Sequence, residues 1–240
     1  MKERSSFSKV IVCAAVLMGV LALASAQAVE TGKAVVRSVK GAADYSEGAG
    51  AWAPLKAGMT LKSGTVVKTG NDSCVDLFLD QNGPLVRLTE NTTLGLDKLC
   101  FEPTGADTVV ETQLDLKAGK IVGIVKKLAA TSKYEVKTPN GVAGIRGTEY
   151  VISATGEVQV VSGSVVVVYV KADGSVVTQV VNAGQKFDPV TGKVGDMTPD
   201  ETKAAQDQLL SIKQGAAPGF EIPNQPVIYI SPTLGADAAQ

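Results

Sequence analysis

The sequence predicts an all-β fold: a solenoid-like or sandwich stack of short strands, followed by one helix and a flexible tail. Aromatic residues make up 5% of the chain and glycine contributes 25 residues, a composition typical of short strands joined by turns. Apolar and polar residues alternate in short runs, which is the pattern of half-buried strands. Turn residues separate these runs throughout residues 33–190, which we therefore interpret as one β domain.

The N-terminus has the composition of an export signal. A positive segment with Lys2, Arg4 and Lys9 precedes the apolar residues 10–24, and small residues follow them. This apolar run is shorter than the ~20 residues of a membrane-spanning helix, so we expect cleavage rather than anchoring. Residues 1–26 are interpreted as a signal peptide, and the mature protein is expected in the periplasm or outside the cell.

The first half of the β domain is expected to contain strands at residues 34–39 and 75–79. Trp52, the only tryptophan, is expected to anchor the core because its side chain has a large apolar area. Asp76 falls on the polar face of an alternating strand, as Asp80 does, and acidic residues in that position are usually solvated.

Two short segments of the β domain are repeated. Leu-Lys-Ala-Gly at residues 55–58 returns at 116–119, and Val-Lys-Thr at 67–69 returns at 136–138. The second copy carries eight additional residues, most simply 126–133. A further turn of the same kind, Asn-Ala-Gly-Gln, closes the β region. Repetition of one structural unit suggests that the units stack on each other. The repeated segments are short, however, and the preference of turns for the same residue types explains their similarity about as well.

The second half is expected to consist of further strands around one longer loop. Residues 85–96 and 109–116 are predicted strands, and residues 97–107 between them are predicted to be a loop. The run of valines at residues 165–168 shows no alternation, so both faces of its strand are expected to be covered. Alternation of apolar and polar residues predicts strands at residues 134–138 and 148–152. The remaining predicted strands are residues 158–161, 164–170 and 175–181.

Cys74 and Cys100 remain after the predicted cleavage. In an oxidising compartment this pair predicts a disulfide. Two free thiols on neighbouring strands are the alternative, because the sequence does not determine the Cα separation that a bridge requires. A metal site is not predicted, because two thiols without histidine fall short of the usual four zinc ligands.

The most informative segment is Thr-Pro-Asn-Gly-Val-Ala-Gly-Ile-Arg-Gly-Thr at residues 138–148. Its proline and glycines exclude a helix, and each glycine permits a positive φ or a close backbone approach. The rigid guanidinium fork of the arginine is suited to joining backbone carbonyls or a carboxylate where loops converge. We interpret the segment as a tight corner pinned by this arginine, with a ligand or partner site as the alternative. Its key residues are Thr138, Pro139, Gly141, Gly144, Arg146, Gly147 and Thr148.

The segment continues as Glu-Tyr-Val-Ile and is followed by Val-Val-Ser-Gly-Ser-Val-Val-Val and later by Val-Asn-Ala-Gly-Gln. These motifs, in this order, resemble the FecR-type domain of bacterial envelope proteins. The resemblance extends more loosely over residues 33–190 and implies an envelope domain engaged in protein–protein recognition. The best-known members of that family are inner-membrane anti-sigma regulators that relay signals from an outer-membrane receptor. Only nine residues precede the apolar run here, so a cytosolic sigma-binding domain is not expected.

A helix is expected after the β domain, over residues 198–214. Thr198 and Glu201 are spaced as a capping box, with a proline at the first helical position. Residues 215–240 form a Pro/Gly-rich tail around an apolar island at 227–230, which is expected to be disordered or to add as a strand to a sheet edge. The apolar stripe of the helix is predicted to contain Ala204, Ala205, Leu209 and Ile212.

Enzyme activity is not predicted. The chain has no histidine, which excludes Ser-His-Asp and Cys-His nucleophile systems, and no phosphate-binding loop or cofactor motif is found. The net charge of −1 gives no basic field for nucleic acid. The acidic residues Asp72, Asp76 and Asp80 lack the pattern of a calcium loop.

The leading hypothesis is an exported, non-enzymatic protein-binding, scaffold or signal-sensing module whose partner is another envelope protein. One alternative is a module that binds the cell wall or a polysaccharide. Such modules expose aromatic side chains, so a surface position of Trp52 would favour it. The other alternative is a structural β-protein that self-associates through edge strands.

Overall fold

The computed structural model describes residues 29–48, 50–104 and 107–215 and confirms the all-β prediction. One short 3-10 helix, η1 (Asp80–Asn82), interrupts the strands, and one α-helix, α1 (Pro199–Gly215), follows them. In chain order the strands are β1 (Glu30–Thr31), β2 (Lys33–Lys40), β3 (Ala43–Glu47), β4 (Ala53–Pro54), β5 (Thr60–Lys62), β6 (Thr65–Thr69), β7 (Cys74–Phe78), β8 (Leu85–Leu88), β9 (Thr93–Thr104), β10 (Asp107–Ala118), β11 (Lys120–Ile124), β12 (Lys133–Thr138), β13 (Gly141–Ile145), β14 (Glu149–Ser153), β15 (Val158–Ser162), β16 (Ser164–Val170), β17 (Val176–Asn182), β18 (Gln185–Asp188) and β19 (Lys193–Asp196).

The strands form two sheets, and the chain advances along both from one end to the other. The first sheet has the order β4-β3-β6-β9-β10-β12-β13-β16-β17, with β1 paired to β9. The second sheet has the order β5-β2-β7-β8-β11-β14-β15-β18-β19. Neighbouring strands are antiparallel except for the parallel pair β10 and β12. The predicted stack is therefore a sandwich through which the chain progresses almost in sequence order.

The inner faces of the two sheets pack against each other and form one continuous core. Val67 and Leu94 are completely buried in it from the first sheet, and Leu77 is buried in it from the second. Tyr134 of β12 and Tyr150 of β14 meet across this core, with their hydroxyl oxygens 3.4 Å apart. Burial raises the pKa of both phenols, so both stay neutral at physiological pH.

Three Ala-Gly turns carry the chain from the first sheet to the second. They join β4 to β5, β10 to β11 and β17 to β18. Their glycines have similar left-handed conformations, with φ of 85° at Gly58, 78° at Gly119 and 78° at Gly184. Glycine adopts this conformation at little steric cost. The sequence repeat thus corresponds to a repeated crossing between the sheets.

The two longer copies of the repeat diverge after their Val-Lys-Thr segments. Following β6, the chain crosses to β7 in the second sheet. Following β12, it turns back through Pro139 and Asn140 into β13 of the same sheet. Similar local sequences therefore continue along different routes.

Two predicted elements in the middle of the chain are wrong. Residues 85–96 form two strands in different sheets, β8 and β9, because a turn at residues 89–92 separates them. Residues 97–104 belong to β9, and residue 107 begins β10, where a loop was predicted. Backbone pairing of β9 with β10 continues past Cys100 and outweighs the local turn signal of the proline and glycine.

The burial of two apolar segments also differs from the prediction. Trp52 is 52% exposed, because it precedes the two-residue strand β4 at the outer end of the first sheet, while Leu55 and Leu61 enter the core. The valines of β16 alternate in burial, and Val166 and Val168 face solvent. The alternation is hidden in the sequence because valine occupies the outward positions as well as the inward ones.

The helix begins with the predicted capping box. The Glu201 backbone N–H donates to Thr198 Oγ1 at 3.2 Å, and the Thr198 N–H donates to Glu201 Oε2 at 2.8 Å. Ala204 is exposed rather than part of the apolar stripe, since it lies one position away from the buried Ala205. The helix covers the outer face of the second sheet through an apolar cluster of Leu85, Val122, Ile124, Val151, Met197, Ala205, Leu209 and Ile212.

Asp76 is buried beneath this helix rather than solvated, because α1 covers the outer face on which it lies. Arg87 holds it with two hydrogen bonds, from Nε to Oδ1 at 2.6 Å and from Nη2 to Oδ2 at 2.8 Å. Ser38 Oγ also donates to Asp76 at 2.9 Å, and Arg87 donates to Ser211 of α1. The hydrogen bonds to Asp76 are the main cause that raises the pKa of Arg87, so the pair is ionic.

Cys74 and Cys100 are free thiols, so the predicted disulfide is not formed. Cys74 precedes the buried Val75 in β7 and therefore lies on the outer face of the second sheet. Cys100 follows the buried Leu99 in β9 and lies on the outer face of the first sheet. The core between the sheets separates the two thiols, and such a spacing of about 10 Å exceeds the Cα separation of a disulfide.

The predicted signal peptide, residues 1–26, and the tail beyond residue 215 lie outside the described residues. Within the part that the structure describes, no helix has the length and apolar character that a membrane span requires.

Candidate functional site

The segment at residues 138–148 begins as a hairpin between β12 and β13. Thr138 and Gly141 are paired across it, and the exposed Pro139 and Asn140 form the two-residue loop. Gly141 has an extended backbone, and a Cβ there would lie 2.6 Å from the carbonyl oxygen of Val168 in β16. Glycine is therefore needed at this position so that β16 can approach closely.

The glycines of the segment have different roles. Gly147 has a φ of 83°, and a Cβ there would lie 2.8 Å from Lys127 Cα. A Cβ on Gly163 would in turn overlap the carbonyl oxygen of Gly147, so the two turns pack backbone to backbone. Gly144 is extended within β13, and a Cβ would contact only the carbonyl oxygen of Val166, at 3.7 Å. Only Gly147 needs its left-handed conformation.

Thr148 fixes the end of the segment to its neighbours. Its side chain is buried, and Oγ1 donates to the carbonyl oxygen of Ser164 at 2.8 Å. Its backbone exchanges two hydrogen bonds with Val125, each 3.0 Å long. Gly147 and Thr148 therefore hold the corner in place through close packing and hydrogen bonds.

Arg146 does not pin the corner as the sequence analysis expected. It is exposed, and within residues 29–48, 50–104 and 107–215 it makes no hydrogen bond or ion pair. The reason is its position in the strand pattern: Ile145 is buried in the core, so the next side chain lies on the outer surface. The guanidinium is available to a partner.

Two further cations lie beside Arg146. Lys126 and Lys127 are both exposed and directly follow Val125, the strand neighbour of Thr148. The Cβ position of Gly147 is 2.8 Å from Lys127 Cα and 3.4 Å from the carbonyl oxygen of Lys126. The structure thus places three positive residues together at one corner of a protein with a net charge of −1. We call Lys126, Lys127 and Arg146 the basic corner.

An uncharged surface adjoins the basic corner on the outer side of the first sheet. The outward side chains of β16 and β17 pair as Val166 with Val180, Val168 with Thr178 and Val170 with Val176. The exposed fractions of the five valines run from 39% to 64%. Together with the neighbouring Val142 of β13 we call these side chains the valine face. Exposed apolar surfaces of this kind often mark interaction sites.

Charged pairs lie on the neighbouring strands of this outer surface. Lys98 lies 2.6 Å from Glu111 across β9 and β10, and Lys137 of β12 lies 3.6 Å from Asp97. The outer side of the first sheet therefore has a charged part, on β9, β10 and β12, beside an uncharged part, on β13, β16 and β17. Among the described residues, no three His, Cys, Asp or Glu side chains are grouped so that they could hold a metal ion.

The model of the FecR protein family matches residues 65–166. These residues are a FecR-type domain. The match begins with β6, ends within β16 and includes the whole of the segment at 138–148, so the predicted resemblance is confirmed over a shorter range than residues 33–190. The FecR family is regulatory and its members are associated with the cell envelope. A search of curated proteins found no significant match.

The central sequence motif contains Arg146 but not the two lysines that lie beside it in the structure. Lys126 and Lys127 begin the eight additional residues of the second repeat copy. An insertion that starts with two lysines, directly after a buried strand, was the signal that could have located them. Their position next to Arg146 follows only from the pairing of β11 with β14.

Proposed function

We propose that the protein is an exported, non-enzymatic module of the cell envelope, which senses a signal by binding another envelope protein at the basic corner. The observation that carries this proposal is the exposure of Arg146 without a described partner, in the central motif of the FecR domain. A buried arginine would have a structural role, whereas an exposed one can serve recognition. Membership of a regulatory, envelope-associated family supports the same function.

The chemistry of the basic corner favours a partner with acidic side chains. A guanidinium forms paired hydrogen bonds with a carboxylate, and ammonium groups nearby strengthen the attraction. The valine face beside Arg146 offers apolar contact to the same partner. An interface with an apolar centre and a charged margin is the usual arrangement for recognition between proteins.

Export is part of this proposal and is tested by the N-terminus of the protein recovered from the envelope fraction. The small residues at positions 24–28 fit the specificity of signal cleavage. We expect N-terminal sequencing to begin at Gln27 or Val29. An intact Met1 on the envelope-associated protein would contradict cleavage.

Replacing Arg146 with alanine should abolish capture of the partner and leave folding almost unchanged. The side chain is exposed and makes no described contact, so the free energy of unfolding should change by less than about 0.5 kcal/mol. The measurement is affinity capture from envelope extract with the immobilised protein, beside thermal unfolding of the same samples. Lys68→Ala is the matched control, because Lys68 is also exposed on the first sheet but lies far from the motif. Unchanged capture by Arg146→Ala would refute the proposed site.

One observation favours a second candidate function, the binding of cell-wall polysaccharide. Trp52 is more than half exposed, and exposed aromatic rings stack on sugars. Trp52→Ala is therefore included in the same experiment, with insoluble cell-wall polysaccharide as a second matrix. The protein-binding function predicts that Trp52→Ala captures protein normally. Retention on polysaccharide that disappears in Trp52→Ala, with Arg146→Ala unaffected, would support the carbohydrate function instead.

A further inference from the structure

The last strand of the first sheet, β17, has one edge without a strand partner among the described residues. Its other edge pairs regularly with β16 over seven residues, without a bulge. The sequence of β17, Val-Val-Thr-Gln-Val-Val-Asn, contains no charged residue and no proline. Folded proteins normally protect an edge strand with a charge, a proline, a bulge or a short length, and β17 has none of these.

The other ends of the two sheets do have such protection. β4 is two residues long and contains Pro54. β5 is three residues long and ends with Lys62. β19 is four residues long and has Lys193 and Asp196 at its ends. Among the four sheet ends that the structure describes, β17 is the only one that combines length, regularity and lack of charge. A long, regular and uncharged edge offers unpaired backbone groups to which another strand can pair.

We propose that β17 pairs antiparallel with β17 of a second copy of this chain, so that the two first sheets join into one. A pairing centred on Gln179 places Val177 opposite Val181 and Thr178 opposite Val180. Each residue would then lie opposite a residue whose side chain points to the same side of the sheet, as strand register requires. The pairing is isologous, which gives a closed dimer with two-fold symmetry.

The chemistry of β17 makes a second copy a suitable occupant. No like charges oppose each other in a self-pairing, because the strand has no charges. Gln179 would meet its own copy at the two-fold axis, and an amide side chain both donates and accepts hydrogen bonds. The two valine faces would become continuous across the axis, on the same side of the joined sheet.

The C-terminal tail is less well placed to occupy this edge. Helix α1 ends at Gly215, and a Cβ on Gly215 would lie 3.8 Å from Asp76 Oδ2 in β7. β7 is near the opposite end of the second sheet, with β8, β11, β14, β15 and β18 between it and the terminal strand β19. The chain beyond residue 215 therefore starts far from β17, whereas a second copy needs no such path.

The molar mass of the purified mature protein in solution tests this proposal. At a protein concentration of about 0.1 mM, which reveals dissociation constants in the micromolar range, light scattering should give twice the mass of one chain. Thr178→Lys should give the mass of one chain, because it places two like charges on the same side of the joined sheet, diagonally across the two-fold axis from each other. Val166→Lys is the matched control: it adds the same charge to the same outer surface, one strand further in, and should remain dimeric. Circular dichroism verifies that all variants are folded.

Each other outcome would overturn the proposal. A parent protein with the mass of one chain would show that the edge is not self-paired. Loss of the dimer in both lysine variants would indicate that valine faces stack on each other rather than that edges pair. A molar mass that keeps rising with protein concentration, beyond that of two chains, would indicate open-ended assembly rather than a closed dimer. Arg146→Ala should remain dimeric, so this test is separate from that of the basic corner.

Discussion

Replacing Gly119 with alanine should lower the free energy of unfolding by about 2–5 kcal/mol, the sum of backbone strain and overpacking. Gly119 has a φ of 78°, and a Cβ there would lie 2.5 Å from Thr92 Cα and 2.7 Å from the carbonyl oxygen of Asn91. Thr92 is completely buried and accepts a hydrogen bond from the Lys120 N–H at 3.0 Å. These backbone atoms can move only if the turn before β9 moves with them.

The same replacement at Gly58 or Gly184 provides the control. Both glycines occupy equivalent Ala-Gly turns with φ of 85° and 78°, but a Cβ at either position meets no atom within 4 Å. Alanine there should cost only the left-handed backbone conformation, about 1–2 kcal/mol. Chemical denaturation of the three variants and the parent gives the comparison. Equal losses at the three turns would show that the contact with Thr92 has no energetic importance.

Replacing Asp76 with alanine should destabilise the protein by about 3–5 kcal/mol, because it leaves the charge of Arg87 partly buried without its partner. The exposed fractions of the two side chains are 7% for Asp76 and 17% for Arg87. Arg87 stays charged in the variant, since a guanidinium does not lose its proton in proteins. The loss of Asp76 should also loosen α1, which Arg87 contacts through Ser211.

A surface ion pair on the same helix is the matched control for this variant. Lys203 and Asp207 are 2.7 Å apart, and both are mostly exposed. Asp207→Ala should therefore cost no more than about 0.5 kcal/mol. The double variant Asp76→Leu with Arg87→Met should recover most of the stability, because apolar residues of similar volume can replace a buried ion pair. A double variant as unstable as Asp76→Ala would show that the hydrogen bonds to Ser38 and Ser211 matter more than the charge.

The two proposed binding surfaces differ in position and in chemistry: the basic corner lies where the chain passes between the sheets, and β17 is the last strand of the first sheet. The basic corner is charged and belongs to the FecR domain, whereas β17 is uncharged and lies beyond the match that ends at residue 166. Dimerisation through β17 would bring two basic corners into one assembly. A dimeric receptor for a dimeric or repetitive acidic partner would gain affinity from binding at both corners together.

The sequence by itself determined those features that depend on near neighbours in the chain. The capping box at Thr198 and Glu201 formed as predicted, because both hydrogen bonds join residues three positions apart. The Ala-Gly turns adopted the left-handed conformation that favours glycine. Strands such as β12 and β14 followed from local alternation. The family motif was also readable, since its glycines and proline have strong local effects on the backbone.

The tertiary structure alone decided which surface each residue faces. The sequence left Asp76 on a solvated face, and helix α1, more than a hundred residues later, buries it. The sequence pattern also predicted that Trp52 and Val166 are buried. Both side chains are exposed, because no element among the described residues covers strand β4 or the outer side of β16. The two cysteines lie on opposite sides of the sandwich because their strands belong to different sheets. Arg146 is exposed because Ile145 takes the core position, and Lys126 joins it only through the pairing of distant strands. Burial and contact depend on which strands become neighbours, and that choice is made by the whole chain rather than by local sequence.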